Sequence, residues 1–104
     1  MAKFLYVYHG GGVPSSPEEG AKMMAAWGNW MGSLGEALID GGNPVGQSST
    51  VHSNGSMTND GGSNPASGYS LVEAPDLETA LSMAKGCPIL EAGGNIEVAE
   101  AMDM

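Results

Sequence analysis

Apolar and polar positions along this chain fall into two periods, one near two residues and one near three and a half. Phe4 to Tyr8 is a run of aromatic and β-branched residues that predicts a strand, closed by Gly10-Gly11-Gly12. Ser16-Pro17-Glu18-Glu19 is a helix start: Ser16 caps, Pro17 suits the first helical position, and Glu19 completes the capping-box spacing. Met23, Trp27, Trp30, Met31, Leu34 and Leu38 then recur at helical steps. The predicted helix runs to about Ile39, where Gly41-Gly42 stops it.

This helix carries a second stripe, Gly28, Gly32 and Gly35. A helical Gly costs about 1 kcal/mol relative to Ala, so the stripe predicts the close approach of another backbone or a bulky ring. Lys22, Asn29, Ser33 and Glu36 form the predicted solvent side.

Ser48 to Ser53 reads as a polar strand, and Asn54 to Gly68, rich in Gly, Asn and Ser, as a long loop. Tyr69 to Ala74 is the next predicted strand. Pro75-Asp76 opens a short helix capped by Asp76, with Leu77, Ala80, Leu81 and Ala84 as its apolar face and Gly86 as its end. Ile89-Leu90 reads as a short extended piece, and Ile96 to Met102 as the last strand. The order is β-α-β-β-α-β, the split βαβ or ferredoxin-like pattern of the α+β class. Its four-stranded antiparallel sheet has helices on one face, and a second copy is the simplest cover for the other.

Length and charge narrow the partners. The chain has 104 residues, enough for a single domain over 1–104 with a modest core. Twelve acidic residues against three lysines give a formal charge of −9. Nucleic acid and anionic membrane surfaces are therefore excluded as expected partners. No apolar run approaches the ~20 residues of a membrane span, and the short N-terminal run does not read as a signal peptide. With Cys87 the only cysteine, the expected setting is a reducing cytoplasm.

The candidate chemistry is sparse. His9, at the end of the first strand beside flexible glycines, is the candidate acid or base near neutral pH. Asp40 at the helix end and Asp60 in its Asp-Gly-Gly loop are its candidate carboxylate partners, and each is equally a turn residue. His52, in the polar strand, is a candidate pocket residue or an ordinary strand position. Trp27, Trp30 and Met31 are core residues or the wall of an apolar pocket. No metal is expected, because His9 and His52 are far apart in sequence and no ligand pair is close. No cofactor is expected either: Gly10-Gly11-Gly12 lacks the spacing of a dinucleotide fingerprint.

Several stretches together resemble the YCII-related (DGPF-domain) family: KFLYVYHGG at 3 to 11, AAWGNWMGSLGEALIDGG at 25 to 42, NDGG at 59 to 62, GYSLVEAPDLETALSMAKGCP at 68 to 88 and GGNIEVAEAM at 93 to 102. The namesake Asp-Gly-Pro-Phe loop reads Asp60-Gly61-Gly62-Ser63 here. A helix histidine that some members pair with an Asp is absent, though Asp40 matches that Asp. The resemblance implies a dimeric α/β-barrel, in which two ferredoxin-like domains join sheet to sheet around a cleft. It also implies either an intersubunit site for a small organic molecule, or a lyase, isomerase or dehydrochlorinase type of enzyme. In that enzyme His9, with Asp40 or Asp60, would move a proton on an aromatic or enone-like substrate.

Overall fold

The computed structural model describes residues 1–12 and 14–103. Strands β1 (Ala2–His9), β2 (Leu38–Asp40), β5 (Ala66–Ala74) and β6 (Asn95–Ala101) make one sheet in the order β2-β5-β1-β6. Every neighbouring pair is antiparallel. Helices α1 (Pro17–Leu34) and α2 (Leu77–Ala84) provide the two crossovers, so the sheet is a split βαβ of the ferredoxin-like kind. A separate two-stranded hairpin, β3 (Thr50–Val51) with β4 (Met57–Thr58), projects between β2 and β5. The overall extents, 43 × 42 × 18 Å, are those of one helix layer on one sheet.

The predicted caps form. Ser16 Oγ accepts from the Glu19 amide at 3.2 Å, and Asp76 Oδ1 accepts from the Thr79 amide at 2.8 Å. Each satisfies a donor left unpaired by the first helical turn.

Several expectations are corrected. The first helix ends at Leu34, not near Ile39, because Gly35 turns to φ +55° and its amide bonds back to the Gly32 carbonyl. A short 3-10 turn follows, and Leu38–Asp40 then becomes the edge strand of the main sheet. The stretch 48–53 does not fill that place: only Thr50–Val51 is extended, within the hairpin. Ile89-Leu90 lies in a 3-10 turn, Pro88–Leu90, which Pro88 opens. Among the described residues, the stripe Gly28, Gly32 and Gly35 meets no neighbour, since a Cβ at any of the three would enter open space.

One face of the sheet builds the core. Phe4, Tyr6 and Tyr8 of β1 and Val72 and Ala74 of β5 pack under Trp30, Ala80, Ala84, Cys87 and Ile89. The buried polar tips are satisfied, as burial demands: Tyr6 Oη donates to the Ala80 carbonyl, and Trp30 Nε1 donates to the Met83 carbonyl at 3.0 Å. Leu77 and Leu81, expected on the inner side of α2, are instead half exposed.

Among the described residues, the opposite face carries no helix. Its rows follow from the register: Leu5 lies between Leu71 and Ala99, and Val7 lies between Tyr69 and Glu97. Leu5 and Tyr69 remain 37% exposed and Ile39 42% exposed there. Among the described residues, no helix is long and apolar enough to cross a membrane.

Candidate functional site

The end of β1 places two neighbouring side chains on opposite sides of the sheet. Strand alternation sends Tyr8 under α1 and His9 to the open face.

On the helix side, α1 and the strand ends border a half-open cavity of about 450 Å³. Met23, Trp27 and Met31 of α1 form one wall, at steps of four residues, and Tyr8 lies among the residues opposite. Tyr8 and Trp27 meet edge to face, with centroids 5.0 Å apart. The rest of the lining includes the glycine-rich segments Gly10 to Gly12 after β1 and Gly41 to Pro44 after β2, Ser67 to Tyr69 of β5, and Met24, Ile89 and Ala92. Two backbone bonds fasten the second segment to the third, Tyr69 N–H to the Asn43 carbonyl at 3.2 Å and Val45 N–H to the Ser67 carbonyl at 3.0 Å. The approach is so close that a Cβ on Gly42, at φ +69°, would overlap the Tyr69 carbonyl.

The polar groups of this cavity are neutral and held. Tyr8 Oη donates to Ser70 Oγ at 2.7 Å, and Ser70 Oγ donates to the Gly41 carbonyl at 2.7 Å. Burial raises the Tyr8 hydroxyl far above the ordinary tyrosine range, outweighing the Ser70 bond that lowers it. Asn43 Nδ2 donates to Tyr69 Oη at 3.4 Å on the side of β5 away from Tyr8 and Ser70. Among the described residues, no Asp, Glu, Lys, Arg or His lines the cavity.

On the open face, His9 is 7% exposed and both ring nitrogens have acceptors. Nε2 is 3.0 Å from Glu97 Oε1, and Nδ1 is 3.1 Å from the Pro65 carbonyl. A neutral imidazole donates from one nitrogen only, so two acceptors favour the imidazolium. Burial lowers the His9 pKa, but the Glu97 bond, the Pro65 and Asn64 carbonyls and the Glu97 charge outweigh it, and the net shift is upward.

The sequence-predicted residues therefore separate. Trp27 and Met31 line the cavity. Trp30 does not, because its indole turns into the core toward Met83. His52 sits exposed on the hairpin arm, 3.1 Å from Thr58 Oγ1. Asp40 and Asp60 do not bond to His9. Asp40 Oδ1 accepts from the Gly42 amide at 2.8 Å, and Asp60 Oδ1 accepts from the Gly62 amide at 3.1 Å, each closing its own turn. Asp60 borders a second, smaller cavity of about 200 Å³ at the base of the hairpin. Sequence reasoning missed Glu97 and Tyr8. An antiparallel pairing of β1 with the Ile96–Val98 alternation would have brought Glu97 to the His9 side. Among the described residues, no group of three His, Cys, Asp or Glu is placed to hold a metal ion. Burial pushes the Cys87 thiol up to about 11.

No curated protein matches the chain. A solved structure with the same fold is the 5-chloro-2-hydroxyhydroquinone dehydrochlorinase of Burkholderia phenoliruptrix AC1100, in complex with 2,5-dihydroxybenzoquinone. It is 16% identical, with a TM-score of 0.55 over 94% of this chain and 93% of that one. The profile of the YCII-related domain matches residues 4–104. The chain, ferredoxin-like in its sheet order and matched along nearly its whole length, belongs to the YCII-related domain family.

Proposed function

We propose that this protein binds a small organic molecule in the cavity between α1 and the sheet, and does so as a homodimer joined through the open sheet face. One observation carries the reading of the cavity: about 450 Å³ of space walled by Tyr8, Met23, Trp27 and Met31. Pockets of this size with aromatic and thioether walls suit small, largely apolar ligands. The bound 2,5-dihydroxybenzoquinone of the dehydrochlorinase that shares this fold supports a small organic occupant. The family resemblance implied a cleft between subunits; the cavity proposed here is the one that residues of a single chain line. The dimer is a separate part of the proposal, supported by the uncovered row of Leu71, Leu5 and Ala99 and its neighbours. Two sheets packed on that face would form a dimeric α/β-barrel.

The test is calorimetric titration with naphthol, a planar ring that is uncharged at neutral pH, as the probe. Saturable binding lost in Trp27→Ala, with the fold kept, supports the reading. Equal affinity of the two proteins would overturn it.

A second reading, proton transfer by His9, draws on the His9–Glu97 pair. Glu97 would then take the role the sequence offered to Asp40 or Asp60. The binding reading is preferred because His9 lines neither cavity and both its nitrogens are occupied. Under the second reading His9→Asn would abolish turnover of a substituted quinone. Under the first there is no turnover to lose.

A further inference from the structure

The cavity has a chemical bias beyond its shape. Its walls hold thioethers, rings and backbone, and the polar side chains among them are neutral. The Tyr8 proton is committed to Ser70, and burial keeps that hydroxyl from ionising. An ion entering this half-open cavity would lose part of its water and gain no opposite charge, which is unfavourable. The three cations of the chain, Lys3, Lys22 and Lys85, are all absent from the lining. The net charge of −9 adds a field that repels anions from a distance.

The walls also favour a flat guest. The Tyr8 and Trp27 rings stand at 81° to each other, so a ring lying against one meets the edge of the other. Met23 and Met31 offer sulfur to the same space. Glycine backbone at Gly10 to Gly12, Gly41 and Gly42 leaves peptide groups near the lining without intervening side chains. Those peptide groups can answer one or two neutral polar substituents.

We infer that the cavity selects uncharged planar molecules, such as a phenol or a quinone in its neutral form, and rejects carboxylates and ammonium ions of the same skeleton. The inference rests on the cavity being a binding site.

The test uses three probes of one skeleton: naphthol, naphthoate and naphthylmethylammonium. Each is titrated into the wild-type protein, with tryptophan fluorescence and calorimetry as readouts. Naphthol should bind at least about tenfold more tightly than either ion, a difference of about 1.4 kcal/mol. The preference should persist at high salt, where the long-range field is screened and the missing counter-charge is not. In Met24→Lys the preference should shift toward naphthoate. Met24 lines the cavity and is 78% exposed, so this variant should fold. Naphthoate binding the wild type as tightly as naphthol would overturn the charge rule while leaving a binding site. Binding of none of the three would overturn the binding site itself, and the inference with it.

Discussion

His9 Nε2 lies 3.0 Å from Glu97 Oε1, although the two residues are 88 positions apart in the chain. The pair ties the end of β1 to β6, and the bond from Nδ1 to Pro65 ties it to the entry of β5. One imidazole ring thus holds three strands at the edge of the open face. The shift in its pKa has a sign that can be worked out. The folded-state pKa lies above the ordinary histidine value near 6.5. Between the two values the folded protein holds a proton that the unfolded chain has released. Stability from this group is complete below the unfolded pKa and falls as pH rises through the folded one. Glu97 is two-thirds exposed, so water screens the pair and the effect should stay at or below ~1 kcal/mol. Glu97→Gln should lower the His9 pKa in an NMR titration and flatten this part of the pH–stability curve. A His9 pKa unchanged in Glu97→Gln would contradict the assignment of the partner.

Two glycine positions should respond in opposite directions to alanine. Gly42→Ala forces a Cβ into the Tyr69 carbonyl at a positive φ, and should cost roughly 2–4 kcal/mol. Gly28→Ala places a methyl in open space on an exposed helix and should stabilise the chain by roughly 0.5–1 kcal/mol. Urea denaturation of both variants checks the pair. Destabilisation by Gly28→Ala would show that something packs on that stripe in solution.

The two tryptophans of α1 should separate stability from binding. Trp30 is buried against Tyr6 and bonded to Met83, so Trp30→Ala should cost about 3–5 kcal/mol. Trp27 is half-buried and borders the cavity, so Trp27→Ala should cost less in stability and more in ligand affinity. Thermal melts with and without naphthol should show that division.

Much of the fold was legible in the sequence. Ser16 and Asp76 cap by chemistry that acts within three residues, so local sequence suffices. The alternation of Phe4, Tyr6 and Tyr8 reads directly as one buried strand face. The edge strand was not legible, because Leu34 and Leu38 keep helical spacing across Gly35 and Leu38 is half-buried as a strand residue. The hairpin arm was hidden for another reason: its ladder is only two pairs long, too short to impose a pattern. At the site, the stripe of Met23, Trp27 and Met31 was visible as a face, but its vacant partner space was not. Asp40 and Asp60 looked like partners for His9 because each stands alone beside glycines, and that same setting makes them turn residues. Glu97 gave no signal, since an outward Glu on a strand looks like any solvated position.

The proposed dimer makes the open face testable by charge. Leu5 lies at the middle of the row Leu71, Leu5, Ala99. Light scattering at micromolar concentration should give twice the monomer mass of 10.5 kDa. Leu5→Glu should give the monomer, by burying an unpaired charge in the joint. A wild-type monomer would remove the sheet-to-sheet assembly from the account and leave the cavity untouched.

The most direct measurement is amide and indole chemical-shift mapping of the wild-type protein titrated with naphthol. The account predicts saturable shifts at the Trp27 indole and at the amides of Gly10 to Gly12, Gly41, Gly42 and Gly68, with the hairpin residues Thr50 to Thr58 unmoved. Shifts confined to the open face, around Leu5, Val7, His9 and Glu97, would contradict it.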